Sequence, residues 1–140
     1  MKVYAIIPVK ELSKSKMRLS SILNPEEREM LSLVMLKDVL NALSLSKVKE
    51  TIVVSSDLTV LKLCKMFSFK PLMESVKGDL NSAINEAIQF SLHEDAQAVL
   101  VMPSDIPLVK TEDINTIVDN CDKIPLIVIS PSKRMDGTNA

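Results

Sequence analysis

Near its start the chain contains Lys2-Val3-Tyr4-Ala5-Ile6-Ile7, and the loop Pro8-Val9-Lys10-Glu11-Leu12-Ser13-Lys14-Ser15-Lys16-Met17-Arg18-Leu19 follows at once. The first run, rich in β-branched and aromatic residues, predicts a buried strand that ends at Pro8. Three lysines and one arginine then fall within a single loop. In an open α/β sheet, positive charge at the carboxyl end of a strand is suited to holding phosphate. The alternative, a solvated basic loop, stays open on composition alone.

A second informative stretch lies far along the chain. The run Ala98-Val99-Leu100-Val101-Met102 predicts another buried strand, and it ends in Pro103-Ser104-Asp105-Ile106-Pro107. Asp105 therefore stands where a parallel strand stops. Mg²⁺ commonly takes only one or two protein carboxylates together with substrate phosphate. The cationic loop and Asp105 together suggest metal-assisted chemistry on a nucleotide, whereas a turn stabilised by Asp105 is the structural alternative.

Composition narrows the class of protein. With 140 residues, 46% hydrophobic residues and a mean hydropathy of +0.19, the chain is one domain with a real core rather than a disordered segment. A net charge of −1 and a pI of about 5.8 argue against a general nucleic-acid binder. The sequence has no apolar run of membrane length and no room for a signal peptide before the first strand, so we predict a cytoplasmic protein. Cys64 and Cys121 are expected to pack as small apolar residues.

Helices and strands alternate along the rest of the chain. Asn24-Pro25-Glu26-Glu27 has the N-cap, proline and acidic first turn of a helix start, and the apolar spacing predicts a helix over about residues 25–46. The apolar residues at this spacing are Leu31, Val34, Met35, Ala42 and Leu45. Further strands are predicted at 51–55, 70–74, 98–102 and 125–129, and further helices after Asp57, after Asp79 and from Thr111. This order predicts a mainly parallel α/β sheet with helices on both faces.

Phosphate recognition cannot use the common glycine-rich motifs. The chain has only two glycines, which excludes both the P-loop and the dinucleotide-binding fingerprint. The candidate phosphate ligands are therefore Lys10, Lys16 and Arg18. The Arg18 guanidinium can donate hydrogen bonds to two phosphate oxygens at once. We expect Lys14 to be solvated.

Several smaller groups of polar residues have both a functional and a structural interpretation. Asn81 in the first turn after Gly78-Asp79 could present its amide to a base or ribose, or simply belong to a helix start. Ser55-Ser56-Asp57 follows a strand, where it could belong to a binding site or simply be the N-cap of the next helix. Gly137-Thr138-Asn139 could bind an anion through backbone N–H groups and the Thr138 hydroxyl, or be a disordered terminus. No nucleophile–histidine pair is apparent, since His93 is the single histidine and lies near a helix end.

Taken in order, four motifs resemble the 2-phospho-L-lactate guanylyltransferase family. They are Ile7-Pro8-Val9-Lys10 with Lys16-x-Arg18-Leu19-Ser20, Gly78-Asp79-Leu80-Asn81-Ser82-Ala83, Pro103-x-Asp105-x-Pro107-Leu108 and Gly137-Thr138-Asn139-Ala140. The resemblance implies a Rossmann-like α/β/α sandwich of the nucleotidyltransferase type. It also implies transfer of GMP from GTP to 2-phospho-L-lactate or phosphoenolpyruvate, with release of pyrophosphate, in deazaflavin coenzyme F-420 biosynthesis.

The same resemblance assigns roles to residues. Pro8 and the loop to Leu19 would wrap the triphosphate, with Lys10, Lys16, Arg18 and Asp105 as the catalytic group and Asp105 as the Mg²⁺ ligand. Gly78, Asn81, Ser55 and Asp57 would lie near the nucleoside, and Gly137, Thr138 and Asn139 near the acceptor acid. The family implies a homodimer. It also implies that residues 1–140 are a single nucleotidyltransferase domain, followed in family members by a segment with further acceptor contacts.

Rival interpretations stay open at this point. One is another nucleotidyltransferase of the same fold, acting on a sugar phosphate or a molybdopterin. The other is a non-catalytic nucleotide-binding or dimerisation domain. Nothing among the residue types decides base preference or the acceptor acid.

Overall fold

The computed structural model describes residues 1–122 and 127–135. In chain order its elements are β1 (Val3–Val9), α1 (Pro25–Ser44), β2 (Glu50–Ser55), α2 (Leu58–Met66), β3 (Lys70–Met73), α3 (Leu80–His93), β4 (Ala98–Val101) and α4 (Thr111–Asp119). Two short 3-10 turns, Leu12–Lys14 and Met17–Leu19, lie in the loop between β1 and α1. These bounds confirm the predicted alternation of strands and helices through α4.

The four strands form one parallel sheet in the order β3-β2-β1-β4. The chain therefore builds outward from β1 to β2 and β3, then returns to place β4 on the other side of β1. In open α/β sheets, ligands bind outside the carboxyl ends of the strands at such a reversal of strand order. The basic loop follows β1 and the Asp105 loop follows β4, so both predicted segments border this reversal point.

Helices cover both faces of the sheet, as predicted. Alternate residues of β1 point to opposite faces. Val3, Ala5, Ile7 and Val9 pack with α1, α2 and α4, and Tyr4 and Ile6 pack with α3. Cys64 of α2 is fully buried in the first of these clusters, and burial raises the pKa of its thiol to about 11. The prediction that Cys64 packs as a small apolar residue is confirmed.

Pro8 does not end β1, which continues to Val9. The carbonyl of Ile6 accepts a hydrogen bond from the Met102 amide, so the backbone of every second residue of β1, Pro8 included, faces β4. Because β4 ends at Val101, which pairs with Ile6, no strand of the described residues lies opposite Pro8 on that side. The missing N–H of Pro8 therefore costs no hydrogen bond between strands, and β1 continues to Val9.

Helix α1 begins as predicted but turns a different face to the sheet. Asn24 accepts from the Glu27 amide while the Glu27 carboxylate accepts from the Asn24 amide, which completes a capping box. The predicted apolar stripe is wrong at Val34 and Leu45, which are 49% and 77% exposed. The residues of α1 that pack on the sheet are Leu36, Val39, Leu40, Ala42 and Leu43. Helix α1 has apolar residues on more than one side. Its contacts with the sheet therefore determine which side is buried, and the spacing of its apolar residues does not.

The predicted last strand, 125–129, is wrong where the structure describes it. Ile127, Val128 and Ile129 lie in irregular backbone and are exposed, and the described residues of this segment add no strand to the sheet. Apolar, β-branched composition favours a strand only where a partner strand supplies the hydrogen bonds. Pro125 and Leu126 lie outside the described residues.

None of the helices in residues 1–122 and 127–135 combines the length and the apolar character needed to cross a lipid bilayer.

Candidate active site

A cavity of about 850 Å³ opens at the carboxyl ends of β1 and β4. Most of the basic loop forms one wall, including Pro8, Lys10, Lys16 and Arg18, and the Pro103-Ser104-Asp105 turn forms another. Ser32 of α1 and Leu80 of α3 complete the lining. Two segments that are distant in sequence therefore share one cavity, as the sequence led us to expect.

A direct contact joins the two segments. The Lys16 ammonium donates to the Asp105 carboxylate, with Nζ and Oδ2 2.9 Å apart. The Lys16 side chain is 22% exposed and that of Asp105 is 53% exposed, so the pair stands at the cavity mouth within reach of solvent and ligand. Since an ammonium has three N–H donors, Lys16 can hold Asp105 and still donate to a phosphate.

The backbone at Lys16 adopts an unusual conformation. Its φ of 54° and ψ of 34° lie in the left-handed region, between the two 3-10 turns of the loop. Non-glycine residues in this region store roughly 1–3 kcal/mol of strain and are concentrated at functional sites. Neighbouring contacts hold the loop in place, since the Ser15 hydroxyl donates to the Leu12 carbonyl and the Ser32 hydroxyl donates to Ser15 Oγ.

Asp57 ties the basic loop to the sheet. Its Oδ1 accepts from the Thr59 amide as the N-cap of α2, and its Oδ2 accepts from the Leu12 amide at 2.9 Å. Ser55, fully buried at the end of β2, accepts from the Asp57 amide through its hydroxyl. Both residues thus stand in the framework behind the cavities, and neither lines one. Their predicted nucleoside contact stays a prediction, while the capping interpretation of Asp57 is what the geometry shows.

Glu11 links the basic loop to the loop before α3, a connection that sequence reasoning missed. Its carboxylate accepts from Lys77 Nζ at 2.6 Å and from Lys14 Nζ at 3.4 Å. The Lys14 side chain is 64% exposed, consistent with the prediction that it is solvated, although it also lines the cavity. The spacing of Glu11 and Lys14, three residues apart, was a signal in the sequence for their ion pair. The pair with Lys77 could not be predicted, because only the fold brings Lys77 close to Glu11.

A second, smaller cavity of about 260 Å³ adjoins the first and shares Lys10, Lys14 and Leu80 with it. Ser56 and Glu74, at the carboxyl ends of β2 and β3, and Gly78 line its other side. Gly78 has a φ of +83°, and a Cβ there would meet nothing within 4 Å, so the backbone borders open space.

The first turn of α3 carries two of the predicted groups. Asp79 is its N-cap and accepts from the amide and the hydroxyl of Ser82, hydrogen bonds that hold the pKa of its carboxyl below the usual 3.8. Asn81 is exposed and lines neither cavity, so its predicted contact with the nucleoside stays a prediction. The predicted acceptor residues Gly137, Thr138 and Asn139 lie outside the described residues.

Arg28, which sequence reasoning also missed, is buried beneath the loop. It is 7% exposed, its Nη1 donates to Met17 Sδ at 2.8 Å, and its Nε has no hydrogen-bond partner among the described residues. A thioether is only a weak acceptor. No acid in the described part of the chain pairs with Arg28, so it adds positive charge under the Lys16–Arg18 segment.

The Asp105 carboxylate fits a metal ion that takes most of its ligands from a bound substrate rather than from the protein. Among the described residues, no three His, Cys, Asp or Glu side chains converge. Asp105 offers one exposed carboxylate, whose Oδ1 makes no hydrogen bond with another described residue. A single carboxylate beside a cationic cavity suits Mg²⁺ that takes its remaining ligands from phosphate and water.

Comparison with solved structures defines the class of fold. A protein described as a nucleotide-diphospho-sugar transferase, from Desulfovibrio desulfuricans, superposes with a TM-score of 0.71 at 20% identity, over 86% of this chain and 55% of that one. CMP:2-keto-3-deoxy-manno-octonic acid synthetase in complex with CTP gives a TM-score of 0.63 at 18% identity, over 94% of this chain and 52% of that one. The chain therefore has the nucleotidyltransferase fold, which confirms the expected fold class.

Sequence comparison gives the family. The family model described as "Guanylyl transferase CofC like" matches residues 2–140, and the chain belongs to this guanylyltransferase family.

Named relatives extend over most of this chain. It is 37% identical over 140 residues to phosphoenolpyruvate guanylyltransferase of Rubrobacter xylanophilus, covering 100% of this chain and 68% of that protein. It is 37% identical to 2-phospho-L-lactate guanylyltransferase of Methanobrevibacter smithii, covering 98% and 59%, and 39% identical to that of Methanothermobacter thermautotrophicus, covering 99% and 60%. The chain thus spans about three fifths to two thirds of the length of these relatives.

Proposed function

We propose that the whole protein transfers GMP from GTP to 2-phospho-L-lactate, or to phosphoenolpyruvate, and releases pyrophosphate, in the biosynthesis of the deazaflavin coenzyme F-420. Membership of the guanylyltransferase family supports the reaction type, and the names of the relatives support the two acceptors. The observation that carries the proposal is the Lys16–Asp105 contact, because it places a cation-rich loop and a carboxylate around one cavity.

The proposed reaction is an in-line displacement at the α-phosphorus of GTP. A phosphate oxygen of the acceptor forms the new P–O bond, and the bond from the α-phosphorus to the bridging oxygen of the leaving pyrophosphate breaks. The nucleophile is already an anion, so the reaction needs no general base, and catalysis consists of positioning and charge stabilisation.

The cationic side chains have the main roles in this proposal. Lys10, Lys16 and Arg18 line the cavity and would neutralise the charge that grows on the departing pyrophosphate. Mg²⁺ held by Asp105 and phosphate oxygens would add charge neutralisation to that of the side chains. Pro8 would shape the start of the triphosphate site, and Gly78 would allow the nucleoside to approach the backbone. Ser55, Asp57 and Asn81 near the nucleoside, and Gly137, Thr138 and Asn139 near the acceptor, complete the proposed site.

The proposal includes the setting of the enzyme. We expect residues 1–140 to act as one nucleotidyltransferase domain, in a cytoplasmic homodimer that binds neither nucleic acid nor a membrane surface. Light scattering of the purified protein tests the dimer.

A product search tests the function. The whole protein is mixed with Mg²⁺, one nucleoside triphosphate (GTP, CTP or UTP) and one acceptor (2-phospho-L-lactate, phosphoenolpyruvate or a sugar 1-phosphate), and products are identified by mass spectrometry. The proposal predicts a guanosine diphosphate-linked three-carbon acid, with pyrophosphate in equal amount. A product from CTP or UTP with a sugar phosphate would instead assign another nucleotidyltransferase activity, and GTP binding without any product would indicate a non-catalytic nucleotide-binding domain.

A further inference from the structure

The smaller cavity holds a carboxylate that the proposed reaction leaves without a role. Glu74 follows β3, and its amide donates to the Ser55 carbonyl at 3.1 Å, which fixes its backbone at the end of the sheet. Its side chain is half-buried and lines the cavity. Across residues 1–122 and 127–135, no hydrogen bond or ion pair engages its carboxylate.

The other acid in this cavity is already neutralised. Glu11 accepts from both Lys77 and Lys14, whereas Glu74 keeps two unused acceptor oxygens. A half-buried carboxylate with no protein partner is hydrogen-bonded to water or to a ligand that supplies donors. Glu74 is therefore available to accept hydrogen bonds from a ligand that enters this cavity.

The position of the cavity specifies which part of a nucleotide would reach it. The two cavities share Lys10, Lys14 and Leu80, so they are adjoining compartments of one site. If the triphosphate lies against Lys16 and Arg18 in the larger compartment, as proposed, the smaller one can receive the nucleoside end. The open space over Gly78 leaves room for a planar ring against the backbone. A volume of about 260 Å³ is just below that of pockets for drug-sized ligands, ~300–1,000 Å³, and suits a single base.

We propose that Glu74 recognises guanine, by accepting hydrogen bonds from the ring N1–H and the exocyclic 2-amino group. These two neighbouring donors match the two oxygens of a carboxylate, which is an acceptor only. Adenine places an acceptor at N1, and cytosine places one at N3, so each would set a lone pair against the carboxylate. The inference rests on the proposed function, because it takes the guanine nucleotide from there, and it adds the residue that selects the base.

The test compares two triphosphates that differ by a single group. Inosine triphosphate keeps N1–H and lacks the 2-amino group. Isothermal titration of the whole protein with each nucleotide gives a GTP-to-ITP affinity ratio, which is measured for the wild type, for Glu74→Gln and for Glu112→Gln. Glu112, an exposed acid in the first turn of α4, lines neither cavity and is the matched control.

We expect the wild type and Glu112→Gln to prefer GTP by about tenfold or more, the effect of one charge-assisted hydrogen bond. In Glu74→Gln this preference should fall close to one. Any general gain from removing a negative charge beside the triphosphate would raise both affinities and leave the ratio unchanged. An equal wild-type affinity for GTP and ITP would overturn the inference, as would an undiminished preference in Glu74→Gln, and in either case nucleotide binding itself would still support the proposed function. Failure of the wild type to bind any triphosphate would reject the proposed function and the inference together.

Discussion

Replacing Asp105 with asparagine removes one negative charge at the mouth of the cavity and keeps the shape of the side chain. Among the residues that the structure describes, Asp105 makes one ion pair, with Lys16 at 2.9 Å. If Asp105 serves the reaction rather than the fold, the variant should lose turnover and keep its stability.

The structure sets the size of both effects. Asp105 is 53% exposed, and exposed ion pairs contribute about 0.2–1 kcal/mol to stability. For a chain of this size, 1 kcal/mol shifts the thermal midpoint by roughly 4 °C, so the Asp105→Asn midpoint should stay within that range. Loss of one electrostatic contribution to a transition state typically lowers kcat by about 10²–10³-fold. The two effects therefore differ enough to be separated.

The assay is Mg²⁺-dependent pyrophosphate release from GTP with 2-phospho-L-lactate, run beside a thermal melt. Asp119→Asn is the matched control, because it breaks another exposed ion pair, Lys47–Asp119 at 2.7 Å, in which the acid is 55% exposed. The control should lose as little stability as Asp105→Asn and retain full turnover. Wild-type turnover in Asp105→Asn would refute the role of Asp105, and a midpoint lowered by far more than in the control would mean that Asp105 serves the fold.

Three further changes test the framework around the site. Asp57→Ala removes the acceptor for two amides, and urea denaturation should show a loss of about 1–2 kcal/mol together with weaker GTP binding; unchanged binding would show that the anchor at Leu12 is dispensable. Gly78→Ala meets no steric obstacle but places a Cβ at φ +83°, and we expect a loss of about 1–2 kcal/mol in the same measurement, whereas no loss would contradict the backbone conformation. Asp79→Asn keeps a capping oxygen and removes the carboxyl whose pKa is lowered in the fold. The wild type should exceed it in thermal midpoint at neutral pH, and this difference should vanish as the pH falls through that lowered pKa, because a group with a depressed pKa stabilises only while it is ionised; a constant difference would show no linkage.

Local signals in the sequence were sufficient for most of the framework. Asn24, Asp57 and Asp79 were each identified as helix starts because an N-cap is recognised from a few neighbouring residues. The buried strands β1 and β2 were recognised by their β-branched runs. The prediction of a buried strand over 98–102 is wrong in its burial, because β4 lies at the edge of the described sheet and Leu100 is its one buried residue. The convergence of the basic loop with Asp105 followed from the rule that parallel strands present their carboxyl ends at one edge.

Contacts between distant segments set the rest. Val34 is apolar and correctly spaced but exposed, because the sheet selects which side of α1 it covers. Strand β1 continues past Pro8 because the neighbouring strand β4 is short, and the length of β4 cannot be predicted from the residues around Pro8. The functions of Glu11 and Glu74 depend on which partners reach them: two lysines neutralise Glu11, and no described residue engages the carboxylate of Glu74.

The central claim is that the loop bearing Lys16 binds the triphosphate of the nucleotide, and calorimetric titration of Lys16→Met with GTP and Mg²⁺ tests it most directly. Lys47→Met, which removes an exposed lysine paired with Asp119, is the control. We predict that Lys16→Met binds GTP about tenfold or more weakly than the wild type, from the loss of one charge-assisted contact, and that Lys47→Met binds like the wild type. Equal affinity of the wild type and Lys16→Met would contradict the claim.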